Sequence, residues 1–286
     1  MCKQKTIAKA IEFSGVGLHT GQSSTMLIEP ADENYGIKFQ RIDLDNQPII
    51  PASIDLVVET QRSTTIEKNG VKIVTVEHLL SALYALGVNN ALIKIDGPEI
   101  PILDGSAKYF VLKIEEVGLK DQKEDVEFIS FEKSYSFSDP DTGSEILYVP
   151  GDQFIASVVL DYNNAVLGTQ YAELRSLSDY SSQISSCKTF VLLTELEKLA
   201  KANLIKGGDL ENAIVLIDRK DIKKSELNDL AYLLGKEDIE IKINGNVLNN
   251  CELQFFNEPA RHKLLDVIGD LALIGKPIKG HIIAKK

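Results

Sequence analysis

The N-terminal stretch alternates apolar and polar positions in short runs separated by turn residues: TIAKAIEFSGVGLHTG, STMLIEP and YGIKFQRI. Alternation with period two predicts half-buried strands. After a polar stretch comes STTIEKNGVKIVTV, in which Asn69-Gly70 predicts a tight hairpin turn. The period then changes. Val76, Leu79, Leu80 and Leu83 fall on one stripe of a helix, with Thr75 placed to cap it and Gly87 to end it. ALIKID predicts another strand, and Asp104, Gly105 and Ser106 introduce a second helix ending near Gly118, with Asp104 as its cap.

The charged segment DQKEDVE has no apolar periodicity and predicts a linker, which divides the chain into α+β domains at 1–122 and 123–286. A second series of strand-like runs follows: FISFEKSYSFS, EILYVP and QFIASVVLDY. KTFVLLTELEKLAKANL predicts a helix with Leu193, Leu196, Leu199 and Ala200 inward, broken by Gly207-Gly208. AIVLID and IKINGNVL predict strands, with helix between them around Ser225 to Leu234. The last helix is the clearest. Asn257 is placed to cap it, Pro259 suits its first turn, Leu264, Leu265, Ile268 and Leu271 bury one side, and Gly275 with Pro277 stops it. Two units of strands and helices suggest an internal duplication, although no residue-level repeat is visible.

Composition narrows the function classes. A hydrophobic fraction of 44% in 286 residues supplies ample core, and no apolar run approaches a membrane span. The start lacks a secretory signal, and Cys2, Cys187 and Cys251 are odd in number and widely spaced, which suits a reducing cytoplasm. A formal charge of -11 argues against nucleic-acid binding, which needs many Lys and Arg to neutralise phosphates. A small anionic substrate stays compatible with a local basic group in a cleft.

Candidate chemistry lies in two places. His262 and Asp266 are four apart on the predicted last helix, so both leave the same face within reach of one divalent ion. Alone, such a pair is more often a solvated or hydrogen-bonded face. His78 would supply a third ligand, leaving an open position for water as in catalytic zinc sites, with Glu77 beside it as proton acceptor.

These residues resemble the family of UDP-3-O-acyl-N-acetylglucosamine deacetylases, zinc enzymes of lipid A synthesis in Gram-negative bacteria. The resemblance rests on GVGLHTG at 15–21, VEHLLSALYALGVNNALIKIDGPEIPILDGSA at 76–107, KTF at 188–190, GGDLENAIVL at 207–216 and RHKLLDVIGDLALIG at 261–275. It implies a cytoplasmic hydrolase, expected to act as a monomer on the UDP-linked sugar. The implied fold is two similar domains of β-sheet layers, each with two main helices packed between the sheets and the metal where the domains meet. His78, His262 and Asp266 would hold Zn²⁺, with Fe²⁺ equally compatible with the donor set. Glu77 would be the general base, Thr189 would donate to the oxyanion, and Lys263 would add positive charge beside the substrate. Asp270 matches the residue that in the family orients a further histidine. His19, Phe190, Leu204 and Gly207 would face the substrate, with 190–215 matching the acyl-chain passage. In the family the last strand continues into Ser-Gly-His; this sequence ends in HIIAKK at that point, and His281 lies earlier, so a longer parent is expected, as in members fused to a dehydratase. Asn164-Ala165 replace the His-Pro of many relatives, which predicts an altered substrate wall with unchanged chemistry.

Overall fold

A computed structural model describes residues 2–202, 206–233, 242–248 and 253–286. The first half runs β1 (Lys3–Ile7), β2 (Ile11–Val16), β3 (Ser23–Pro30), β4 (Ile37–Arg41) and β5 (Ile49–Pro51). A small antiparallel sheet follows, β6 (Val57–Glu59), β7 (Thr65–Lys68) and β8 (Val71–Ile73). The chain then forms α1 (Glu77–Ala85), β9 (Ala91–Ile95) and α2 (Lys108–Val117). The second half runs β10 (Leu119–Asp125), β11 (Tyr135–Ser138), β12 (Glu145–Val149), β13 (Phe154–Asp161), β14 (Thr169–Leu174) and the short α3 (Tyr180–Gln183). An inserted layer contains β15 (Phe190–Leu192), α4 (Leu193–Lys201), β16 (Ile214–Leu216), α5 (Lys224–Leu233), β17 (Ile243–Asn244) and β18 (Val247–Leu248). The last elements are α6 (Glu258–Ala272) and β19 (Gly280–Lys285).

The duplication that the sequence only suggested is plain in the topology. One five-stranded sheet has the order β2-β3-β9-β4-β5 and the other β11-β12-β19-β13-β14. In each, the strand after the main helix enters the middle, parallel to one neighbour and antiparallel to the other. Each half also carries its smaller sheet at the same place, between the fourth strand of the large sheet and the main helix. The fold is therefore α+β in two similar halves. Their sheets and helices share one core, in which Met26, Phe39, Leu79, Phe110, Ala156 and Leu264 are all buried. The inserted layer has its own apolar cluster, including Leu193, Leu196, Val215, Leu227 and Leu230. In the first half α2 covers the β2 edge, with Phe110 edge-on to Phe13 at 5.0 Å; on the matching β11 edge, Tyr135 and Phe137 are exposed.

Several local expectations hold and several are corrected. Asn69 and Gly70 take positive φ and join β7 to β8, as the hairpin signal requires. Helix α1 is buried nearly all round, not along one stripe, because it is enclosed in the shared core. Thr75 does not cap it; its hydroxyl donates instead to Glu99, 2.7 Å away. Asn257 precedes α6 without a side-chain cap, because its amide donates to Tyr171 and its oxygen accepts from Arg261. Asp104 accepts from Ser106, whose own hydroxyl accepts the N–H of Lys108, so Ser106 is the residue that serves the first turn of α2. DQKEDVE is not a free linker. Its first five residues lie in β10, paired antiparallel with β1, and the strand shows no apolar period because none of its residues is buried. Phe190–Leu192 is strand where helix was expected, since it pairs in parallel with β16.

Candidate metal centre

Helices α1 and α6 cross in the core, and the crossing is close because residue 269 is glycine. A Cβ there would lie 2.1 Å from the carbonyl oxygen of Glu77. This approach brings His78, on the first turn of α1, to His262 and Asp266 on α6. One potential ligand atom from each of the three lies within 4.8 Å of the others. The two imidazole rings meet edge to face at 5.0 Å, and Asp266 Oδ1 is 3.7 Å from His78 Nε2 and 3.3 Å from His262 Nε2.

The cluster has the chemistry of a cation site. His262 Nδ1 lies 3.0 Å from the carbonyl oxygen of Cys187, which fixes the proton on Nδ1 and leaves the Nε2 lone pair toward Asp266. Burial pulls the pKa of His78 down to about 3 and lowers that of His262 as well, so both rings are neutral donors. Burial alone would raise Asp266, but His262, whenever it is protonated, and the Lys263 ammonium outweigh it and keep the carboxyl below its usual range. Its Oδ2 accepts from Lys263 Nζ at 2.8 Å, whereas Oδ1 is buried with no hydrogen-bond partner. An unpaired buried carboxylate oxygen beside two neutral imidazoles is costly without a cation, and a divalent ion fits the donors.

Glu77 stands beside this cluster. Burial, reinforced by Asp266, pushes its carboxyl well above the usual range. The N–H of Thr64 donates to Glu77 Oε2 at 3.0 Å, and the Thr64 hydroxyl donates to Asp270 Oδ1 at 2.6 Å. One threonine thus joins both carboxyls, and burial pushes Asp270 up to about 6. Nothing in the sequence marked Thr64, since it lies 206 residues from Asp270 on another element.

Two loops meet beside the inserted layer, and one of them carries His19 within electrostatic reach of His78. His19 lies between β2 and β3, with Nε2 buried and unpartnered, and its charge would depress His78 further. The backbone of its loop touches the 206–208 turn: Gly207 N–H donates to Leu18, and a Cβ at Gly207 would lie 2.0 Å from the Gly17 carbonyl oxygen. Gly105, at φ +80°, packs equally closely on Asn212. Thr189 is held through its backbone between Gly105 and Ile214. Phe190 places its ring 6.4 Å from that of His262 and beneath the Lys263 ammonium. Leu204 lies outside the described residues. His281 sits on β19 bonded to Ser157, away from the cluster. Asn164 ties the DYNNAVLG loop to the inserted layer by donating to the Asp218 carbonyl.

Residues 4–231 and 233–286 match the family described as UDP-3-O-acyl N-acetylglycosamine deacetylase. The chain is 47% identical over its whole length to the bifunctional enzyme LpxC/FabZ of Bacteroides thetaiotaomicron, of which it spans 62%. It is 45% identical over 99% of its length to the protein of the same name from Porphyromonas gingivalis, spanning 61% of that relative. The UDP-3-O-acyl-N-acetylglucosamine deacetylase of Myxococcus xanthus is 36% identical across 99% of the chain, which covers 82% of it.

Proposed function

The chain belongs to the UDP-3-O-acyl N-acetylglycosamine deacetylase family, and from that premise we propose that it hydrolyses the N-acetyl group of UDP-3-O-acyl-N-acetylglucosamine to acetate and the free 2-amino sugar. The observation that carries this reading is the convergence of His78, His262 and Asp266 next to a buried carboxyl, Glu77. His78, His262 and Asp266 would hold Zn²⁺, or Fe²⁺ in its place, and the ion would supply Lewis acidity toward the acetyl carbonyl and a water.

Glu77 takes the proton of the attacking water and returns it to the departing nitrogen as the C–N bond breaks. A carboxyl displaced upward by burial suits both halves of that task. The Thr64 N–H keeps Glu77 Oε2 in place, and Asp270 anchors Thr64 by its hydroxyl. Lys263 holds Asp266 ionised and puts positive charge beside the substrate. The Thr189 hydroxyl donates to the developing oxyanion, where a bond stronger in the transition state accelerates the step. His19, Phe190 and Gly207 line the substrate side, and the acyl chain runs along the described parts of the inserted layer.

With the boundary taken after β10, and not at 122 inside that strand, Glu77 and His78 belong to the first half and His262 and Asp266 to the second. We assign the reaction to the committed step of lipid A synthesis in a Gram-negative cytoplasm, with the protein acting as a monomer. Acetate release from the UDP-sugar by metal-loaded protein, lost in Glu77→Ala, is the expected result. A metal-loaded wild type that releases none would sink the assignment.

A further inference from the structure

Glu99 follows β9 and is 1% exposed, yet among the described residues it has no ion-pair partner. Its carboxylate is held by hydrogen bonds, and its charge reaches the His19 ring. Oε1 accepts from the His19 N–H at 2.9 Å and from the Thr75 hydroxyl at 2.7 Å, and Oε2 accepts from the Thr20 N–H at 2.7 Å. Burying a carboxylate without a countercharge is costly, so its retention asks for a reason beyond packing.

The donors supply one. Thr75 takes φ +61°, strained for a β-branched residue, and lies two residues before Glu77 and three before His78. His19 and Thr20 belong to the loop that lies against Gly207 of the inserted layer. Glu99 therefore ties the turn leading into α1 to the loop that carries His19. Gly17 makes room for it, because a Cβ there would lie 2.3 Å from Glu99 Oε2. The backbone is secured as well. Glu99 bridges to Val74, and its carbonyl accepts from the Ser24 hydroxyl.

We propose that Glu99 is a positioning residue for the deacetylation: by gripping His19, Thr20 and Thr75 together it holds the half-buried His19 imidazole, whose Nε2 has no hydrogen-bond partner, in register with Glu77 and His78. It touches no reacting atom and acts through His19. The proposal rests on the deacetylase reading for its kinetic consequence, but not for its structural one.

The test is a double-mutant cycle on the full chain loaded with zinc, comparing wild type, Glu99→Gln, His19→Ala and the double variant. An amide at 99 keeps one acceptor and turns the other into a donor facing an N–H. Glu99→Gln should lower kcat by roughly 10–100-fold with bound zinc unchanged, as expected for displacement of a group near the reacting atoms. In the His19→Ala background the same change should cost no more than about twofold, because the two act as one unit. The His19 imidazole NMR signals should move in Glu99→Gln. Multiplicative losses, or unchanged kcat in a folded Glu99→Gln protein, would overturn the proposal. If Glu99→Gln does not fold, Thr75→Val removes one donor of the three and takes its place in the cycle. Should the wild type release no acetate, the deacetylase reading fails, and an unmoved His19 signal then overturns the positioning role separately.

Discussion

Gly269 sits against Glu77 so closely that a single added carbon would lie 2.1 Å from the Glu77 carbonyl oxygen. That contact is between backbones, which cannot rotate away as a side chain tip can. It sets the separation of α1 and α6, and hence the distance from His78 to the pair on α6.

Gly269→Ala is therefore expected to force the helices apart at the metal cluster. It should destabilise the protein by roughly 1–3 kcal/mol, as overpacking of a tight crossing does, and lower its metal affinity in parallel. Thermal melts with and without zinc, together with metal content after dialysis, read both effects. An alanine variant that melts and retains metal like the wild type would show that the crossing can relax freely.

Metal binding should stabilise the fold, because the Asp266 oxygen left without a hydrogen bond gains a partner. At free zinc one hundred times its dissociation constant the gain is about 2.7 kcal/mol. Zinc titration followed by melting temperature should raise the wild type and leave His262→Ala nearly unmoved. Equal gains in both proteins would place the ion elsewhere.

Glu77→Gln retains an oxygen that can accept the Thr64 N–H but cannot carry a proton. Acetate release should fall about 10²–10⁴-fold, the range expected for loss of a general base, while zinc content stays at the wild-type level. Loss of metal along with activity would point instead to a role in holding the ion.

Asp270 carries a pH signature in the metal-free protein. Its folded pKa is raised to about 6, mainly by burial. The group therefore contributes stability that is fully present below the ordinary carboxylate range and is lost as pH rises through about 6. Asp270→Asn removes that dependence and still accepts the Thr64 hydroxyl. Relative to wild type it should gain on the order of 1–3 kcal/mol between pH 4 and 7, measured by urea unfolding in chelator. The difference between the two proteins is the quantity to compare, because His78 and His262, with lowered pKa values, contribute in the opposite direction and cancel from it, whereas the part of the Glu77 upward shift that Asp270 causes adds to it with the same sign. A flat difference would mean that Asp270 ionises freely.

Gly207→Ala tests the wall between the two loops. The added carbon would lie 2.0 Å from the Gly17 carbonyl oxygen, so the 206–208 turn must lift away from the His19 loop. KM for the UDP-sugar should rise several-fold with zinc content unchanged. Unaltered kinetics would show that this junction plays no part in holding substrate.

The local chemistry of the chain was legible from its residues. Spacing alone put His262 and Asp266 on one helical face, Asn69-Gly70 announced the hairpin, and alternation marked β2, β3 and β9. These are short-range properties, set by backbone geometry within a few residues. Contacts made across the fold stayed hidden. Thr75 looked like a helix cap because nothing nearby competes for its hydroxyl, yet Glu99, 24 residues later, takes it. Neither Glu99 nor Thr64 was singled out by its place in the sequence, and only burial makes their hydrogen bonds decisive. DQKEDVE looked like a linker because a strand with no buried face carries no apolar period. The duplication was invisible as sequence and clear as topology, because many sequences satisfy one pattern of strand pairing. The sequence by itself thus determined which residues could bind a cation and where the helices and main strands begin. Only tertiary structure decided that a glycine on α6 lets His78 meet its partners, since that distance is set by how two helices pack and not by either helix alone.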